Sequence, residues 1–108
     1  MKRFVLLYHQ FPSGHADASH YDLMLEADGE LRTWRLGAKP DMLRPVQGQP
    51  IAPHRLAYLD YEGEVSGDRG SVTRMDRGEY EIVRDDAAAL IVDLYGNVLS
   101  GRLAVLIS

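Results

Sequence analysis

The most informative stretch of this chain is Ser19-His20-Tyr21-Asp22-Leu23-Met24-Leu25-Glu26. Its polar and apolar residues alternate with period two, which is typical of a half-buried β-strand. The alternation places His20 and Asp22 on one face and turns the apolar side chains toward a core. A histidine and a carboxylate on one strand face can both reach a divalent metal ion. The stretch alone leaves two alternatives open: a metal site, or two polar side chains on the solvent face of an amphipathic strand.

The flanking sequence predicts short strands separated by turns and no long helix. Asp28-Gly29 is a hairpin signal that joins strand 20–27 to a returning strand 30–36. Residues 37–50 read as a long irregular connection with a short helical turn at 40–44. The other predicted strands cover residues 3–9, 51–63, 71–75, 79–83, 87–94 and 99–107. Strands at this spacing indicate a small barrel or sandwich. We predict a mainly β, single-domain β-barrel over residues 1–108, with short, mostly antiparallel strands and at most one or two short helical turns.

Composition limits the classes of protein. The chain has 108 residues, 45% hydrophobic and 26% charged, which predicts one folded domain. It has no cysteine, so any metal must be held by His, Asp or Glu. It has no apolar run near eighteen residues, so we expect no transmembrane helix and a cytoplasmic location.

The charge pattern argues against a protein that coats nucleic acid, because the net charge is −4. Ten of the twelve basic residues are arginines, whose planar fork suits phosphate oxygens. Several fall in two groups, Arg32/Arg35/Lys39/Arg44 and Arg69/Arg74/Arg77. The alternative is that these are scattered solubilising charges.

Several motifs follow one another in a recognisable order. They are Arg3-Phe4-Val5 through His9, His20-Tyr21-Asp22-Leu23-Met24-Leu25-Glu26, Asp28-Gly29 with Trp34, His54-Arg55-Leu56-Ala57-Tyr58 with Tyr61-Glu62-Gly63, Asp76-Arg77-Gly78-Glu79-Tyr80-Glu81, and the closing stretch 99–106. In this order they resemble the 3′-phosphoesterase domain at the N-terminus of bacterial DNA ligase D, a metal-dependent end-healing module that also exists as stand-alone proteins.

The resemblance implies a set of site residues. His9, His20 and Asp22 would bind a divalent metal, manganese in kind, and would leave coordination positions open for water and a phosphate oxygen. His54 and Tyr58 would face the scissile phosphate as catalytic residues. Their spacing of four puts both on one side of a regular strand, which agrees with that assignment.

Two departures from the family pattern stand out. The family carries a phosphate-contacting arginine two residues past its aspartate, and this chain has Met24 there. Another basic residue could replace it, and the candidates for phosphate binding are Lys39, Arg44 and Arg55. The loop between His9 and His20 is long and contains His15, which could replace or supplement His9 as a ligand.

The implied activity is metal-dependent hydrolysis at 3′ ends of nucleic acid, removing a 3′-phosphate or a 3′-ribonucleotide in DNA end repair. The implied partners are nucleic-acid 3′ ends and a separate ligase or polymerase of an end-joining system, with no membrane. One alternative is a non-catalytic module that binds metal, nucleic-acid ends or a repair partner, which Met24 favours. Another is a purely structural β domain with an incidental histidine cluster.

Overall fold

Eight β-strands and one 3₁₀ turn build the protein, described here by a computed structural model of residues 1–108. The strands are β1 Lys2–Gln10, β2 His20–Ala27, β3 Glu30–Leu36, β4 Val46–His54, β5 Gly63–Glu64, β6 Ser71–Asp85, β7 Ala89–Gly96 and β8 Ser100–Ile107. The 3₁₀ turn covers Leu56–Leu59. No helix is long and apolar enough to cross a membrane.

Seven of the strands close into a barrel, which confirms the predicted mainly β barrel. Neighbouring strands follow the order β1-β2-β3-β4-β8-β7-β6, and β6 pairs again with β1. All these pairs are antiparallel except β4 with β8, which run parallel over Val46–Gly48. The short β5 adds to β6 beside the ring. Closure leaves the ring without a free edge, as expected for a small all-β domain.

The barrel interior holds the larger of two apolar clusters. Alternate residues of the strands point inward, and thirteen of them are buried together with Leu99, which precedes β8. Phe4, Leu23, Trp34, Val92 and Leu103 are among them. Leu23 and Leu25 lie in this cluster, as the alternation in β2 predicts.

A second apolar cluster lies outside the barrel, against β1 and β2. We call it the outer cluster, and it consists of Val5, Leu7, Met24, Leu31, Leu59, Val65 and Val72. Leu59 of the 3₁₀ turn and Val65, which follows β5, complete it from beyond the ring. Strand β2 is therefore buried on both faces: Asp22 is 2% exposed and Met24 is 1% exposed. The prediction that His20 and Asp22 lie on a half-buried strand was wrong because the outer face of β2 is buried as well.

Strand β4 starts earlier and ends earlier than predicted. It covers Val46–His54, where the sequence indicated an irregular connection over 37–50 and a strand over 51–63. Pro50 and Pro53 read as strand breakers. Both lie beyond Gly48, where β4 has lost its β8 neighbour and pairs only with β3, so their missing N–H groups interrupt no second ladder. The helical turn predicted at 40–44 is absent, and Asp41 accepts backbone N–H bonds from Leu43 and Arg44 in a bend instead.

Strand β6 is one fifteen-residue strand rather than two strands joined by a turn at residues 76–78. A β-bulge explains the difference. Leu6 pairs with Asp76 and Leu7 with Arg74, which leaves Met75 as an extra residue in β6. The bulge bends β6 without reversing it, so β6 pairs with β5, β1 and β7 along its length.

Candidate metal centre

The pairing of β1 with β2 brings the three predicted ligands together. His9 lies opposite His20, and Leu7 lies opposite Asp22. Because paired residues share a face of the sheet, all three polar side chains point to the outer face of the barrel. One ligand atom from each lies within 4.8 Å of the others. We call this group the His-Asp cluster.

Backbone carbonyls fix which nitrogen of each imidazole is free. Nδ1 of His20 lies 2.9 Å from the carbonyl oxygen of Ala18, and Nε2 of His9 lies 2.6 Å from that of Arg69. A carbonyl only accepts hydrogen bonds, so these two nitrogens carry the protons. The lone pairs of His20 Nε2 and His9 Nδ1 face the Asp22 carboxylate, which is also an acceptor, at 3.3 Å from Oδ1 and 4.0 Å from Oδ2 respectively. Such carbonyl contacts are the usual support of metal-binding histidines.

The nitrogen and oxygen atoms of the His-Asp cluster suit a divalent cation. His20 Nε2 and Asp22 Oδ1 are buried and have no hydrogen-bond partner. Two buried acceptors facing each other are unfavourable unless a cation or a proton lies between them. Burial opposes protonation of His20, but the Asp22 carboxylate and the Ala18 carbonyl outweigh it, so the pKa of His20 is raised. The cluster is thus built to attract positive charge.

Phe11 and His15 form the rim of the cluster. The Phe11 ring stacks on His9 with centroids 4.3 Å apart and is tilted against His15 at 4.7 Å. His15 is outside the cluster, and its Nδ1 accepts a hydrogen bond from the backbone N–H of Asp17. Between the two candidate ligands in the sequence, the structure therefore places His9 in the cluster. Phe11 was not predicted, although an aromatic residue two positions after His9 was a visible signal.

His54 and Tyr58 meet, but not as neighbours on one strand. His54 ends β4 and Tyr58 lies in the 3₁₀ turn, so the predicted regular strand was wrong. The turn folds back and brings the two rings edge to face at 5.5 Å. Thr33 was not predicted: its hydroxyl donates to the Leu31 carbonyl and lies 3.0 Å from His54 Nδ1. Because the single hydroxyl proton is used, Nδ1 of His54 is the donor and its Nε2 is free.

The surroundings of His54 favour its neutral form. Burial is the main cause that lowers its pKa below 6.5, and the charge of Arg69 adds to it. Asp22 and the Ala52 carbonyl act in the opposite direction without reversing it. At neutral pH His54 therefore offers a lone pair at Nε2 rather than a proton.

The three predicted phosphate-binding residues are divided between two places. Lys39 and Arg44 line a separate depression, where Arg44 pairs with Asp41 at 3.5 Å. Arg55 precedes the 3₁₀ turn and lines a depression with Tyr58. Only Arg55 therefore adjoins the residues expected to face the phosphate.

The fold and the site define a class: a small closed β-barrel with a candidate two-histidine, one-aspartate metal centre on its outer face. The chain belongs to the DNA ligase D 3′-phosphoesterase domain family, because a family model of that description matches residues 13–106. The match includes His20, Asp22, His54 and Tyr58 and begins after His9.

Two multifunctional LigD proteins of non-homologous end joining illustrate the relationship. The chain is 35% identical over 101 residues to the one from Mycobacterium tuberculosis strain H37Rv, covering 85% of this chain and 13% of the relative. It is 34% identical over 98 residues to the one from Pseudomonas aeruginosa strain PAO1, covering 80% of this chain and 12% of the relative. The chain thus spans about an eighth of the length of these proteins.

Proposed function

We propose that this chain is a divalent-metal-dependent phosphoesterase that removes a 3′-phosphate or 3′-ribonucleotide from nucleic-acid ends. The observation that carries the proposal is the pair of buried, unpartnered acceptors, His20 Nε2 and Asp22 Oδ1, with His9 Nδ1 beside them. Membership of the 3′-phosphoesterase domain family supports the reaction class.

Manganese is the ion we expect, held by His9 Nδ1, His20 Nε2 and Asp22. Two imidazoles and one carboxylate suit a first-row divalent ion and leave positions open for other ligands. When bound, such an ion supplies Lewis-acid charge that stabilises negative charge developing on a phosphoryl group. The Ala18 and Arg69 carbonyls hold both imidazoles in the tautomers that binding requires.

His54 and Tyr58 then act on the phosphoryl group itself. Hydrolysis breaks the bond between phosphorus and the 3′ oxygen, adds the hydroxyl of water to phosphorus and gives a proton to the 3′ oxygen. Neutral His54 takes the proton of the attacking water at Nε2 and returns it to solvent, and the leaving 3′ oxygen takes a proton from solvent. Thr33 holds the His54 ring through Nδ1. The Tyr58 hydroxyl, on the ring that meets His54, donates to a phosphoryl oxygen.

The biological setting we propose is end processing in non-homologous end joining. The relatives from Mycobacterium tuberculosis and Pseudomonas aeruginosa carry that process in their names. Since this chain covers only about an eighth of their length, a ligase or polymerase would be supplied by another polypeptide or another part of a longer one.

An end-trimming assay tests the proposal. A primer-template ending in a 3′-phosphate or a single 3′-ribonucleotide is incubated with and without Mn²⁺, using wild type, Asp22→Ala and His54→Ala. We expect Mn²⁺-dependent trimming by wild type, loss of trimming and of Mn²⁺ binding in Asp22→Ala, and loss of trimming alone in His54→Ala. If wild type trims neither end, the proposal is wrong for these substrates.

Met24 favours a second candidate, a module that binds 3′ ends without turnover. Its side chain is buried in the outer cluster and offers no donor to a phosphate. The same assay separates the candidates, because the binding module would retain Mn²⁺ and 3′ ends and release no product.

A further inference from the structure

Most arginines of the protein are neutralised by carboxylates. Six of the ten form ion pairs within 4.0 Å, and these are Arg3, Arg32, Arg44, Arg77, Arg84 and Arg102. Arg35 belongs to the other four, and no hydrogen bond or ion pair engages its exposed guanidinium. An unpaired arginine fork is available for a ligand with two oxygens in one plane, such as a phosphoryl group.

The strand register places Arg35 beside the His-Asp cluster. Arg35 lies opposite Asp22 of β2 and opposite Gln49 of β4, so the three residues form one row across the outer face. The Cβ atoms of residues paired in this way lie about 5 Å apart, and an arginine side chain is long enough to span that distance. Arg35 and Gln49 also line one depression together with His20.

The positive charge of Arg35 lies in the same row as Asp22 of the His-Asp cluster. A guanidinium near a cation site is unfavourable by itself, and a bound anion between the two would relieve that repulsion.

Arg35 also lies diagonal to Met24. Met24 pairs with Thr33, two residues before Arg35 on β3, so both positions border the same corner of the site. The charge absent at position 24 can therefore be supplied from the neighbouring strand.

We propose that Arg35 is the phosphate-binding residue of this chain, holding the terminal 3′-phosphoryl group between itself and the His-Asp cluster, with the Gln49 amide as a neighbouring donor. The inference rests on the proposed function for the identity of the anion. It replaces the three candidates predicted from the sequence: Arg44 is paired with Asp41, Lys39 lies in the same separate depression, and Arg55 is on the Tyr58 side.

The test measures binding and turnover separately. Binding uses a His54→Ala background with Mn²⁺, so that the ligand is not consumed. The probes are one labelled oligodeoxynucleotide ending in a 3′-phosphate and the same strand ending in a 3′-hydroxyl. The ratio of the two affinities is compared after adding Arg35→Ala, Arg35→Lys or the matched surface control Arg102→Ala. Thermal melting checks that each variant folds.

We expect Arg35→Ala to reduce the preference for the 3′-phosphate by tenfold or more, Arg35→Lys to restore part of it, and Arg102→Ala to change it by less than twofold. An equal effect of Arg35→Ala and Arg102→Ala, or no preference in the parent, would overturn the inference.

Turnover by otherwise wild-type protein distinguishes this inference from the proposed function. Phosphate preference that depends on Arg35, without any hydrolysis, would support Arg35 and contradict the phosphoesterase. Hydrolysis whose KM is unchanged by Arg35→Ala would support the phosphoesterase and contradict Arg35.

Discussion

At the scale of single residues, the candidate site depends on where two protons are held. The carbonyls of Ala18 and Arg69 take the N–H of His20 and His9, so both free lone pairs converge on Asp22. This arrangement leaves buried acceptors without partners, which is costly in the free protein and favourable once a cation binds.

Mn²⁺ should therefore stabilise the protein through Asp22. At a free concentration about 100 times Kd, binding adds about 2.7 kcal/mol, or roughly 10–20 °C in Tm for a domain of this size. We expect Asp22→Asn to lose this shift, and the exposed loop variant Asp17→Asn to keep it. Differential scanning fluorimetry with and without Mn²⁺ measures it; an equal shift in Asp22→Asn would place the ion elsewhere.

The pH dependence of turnover should report on His54. Its lowered pKa keeps the imidazole neutral at and above pH 6.5, and protonation removes the acceptor as the pH falls below that value. We expect kcat, measured at saturating Mn²⁺ and substrate, to fall as the pH is lowered below 6.5. His54→Gln should lower kcat about 100-fold and lack that limb. An identical acid limb in His54→Gln would assign it to another group.

The residues that support the site could not be read from the sequence. The family resemblance predicted His9, His20 and Asp22 because motif order is visible in one dimension. Thr33 and Arg35 lie near the candidate site because of the register between β2 and β3. The Arg69 carbonyl reaches His9 from a loop that is 60 residues away in the sequence. The register of paired strands depends on which of their faces are buried. The alternating pattern of β2 indicates one buried face, so it did not predict the outer cluster on the other face.

At the scale of elements, β6 is tied to the β7–β8 turn by one buried carboxylate. Asp76 accepts backbone N–H bonds from Arg77, Asn97, Val98 and Leu99 at 2.7 to 3.1 Å. The sequence reads Asp76-Arg77-Gly78 as a turn, since Asp and Gly favour turns. The carboxylate does stabilise a turn, but that turn lies 21 to 23 residues further along the chain.

Removing this carboxylate should destabilise the barrel. Asp76→Ala leaves buried N–H groups without acceptors, so we expect a loss of about 3 kcal/mol in the free energy of unfolding. Asp76→Asn keeps one acceptor and should lose less. The control Asp60→Ala removes an exposed carboxylate paired with Arg77 and should cost less than about 1 kcal/mol. Urea denaturation measures all three; equal losses in Asp76→Ala and Asp60→Ala would contradict this role.

Gly78 is required where β1, β6 and β7 pack closely. A Cβ atom there would lie 2.1 Å from the Tyr95 carbonyl oxygen and 2.8 Å from the Gly96 Cα, both backbone atoms. Gly78→Ala should therefore cost about 2 kcal/mol or more. At Gly37 the added Cβ would meet nothing closer than 3.6 Å, so Gly37→Ala serves as the control. Chemical denaturation that shows both variants equally stable would refute the packing argument.

At the scale of the whole molecule, most of the arginine charge is neutralised, and part of the unpaired charge lies beside the candidate metal centre. The net charge is −4 and six arginines are paired, while no carboxylate pairs with the guanidinium groups of Arg35, Arg55, Arg69 and Arg74. Arg35 lies opposite Asp22, and Arg74 lies opposite Leu7, on the same face as the cluster. Free positive charge thus adjoins the candidate metal centre.

Binding of a 3′-phosphorylated single strand should depend weakly on salt. Contact with one or two phosphates predicts a slope of about −1 in log K against log salt concentration, because few counterions are released. Fluorescence anisotropy between 50 and 300 mM salt measures the slope. A value near −6 or steeper would indicate that the protein tracks many phosphates.

We propose that His9, His20 and Asp22 together hold one divalent metal ion. Anomalous diffraction from a crystal grown with Mn²⁺ tests it most directly, with Asp22→Asn crystals grown in the same way as the control. We predict one strong anomalous peak bridging His9 Nδ1, His20 Nε2 and the Asp22 carboxylate, and no peak there in Asp22→Asn. No manganese at this position in wild type, with Mn²⁺ bound elsewhere or not at all, would contradict the account.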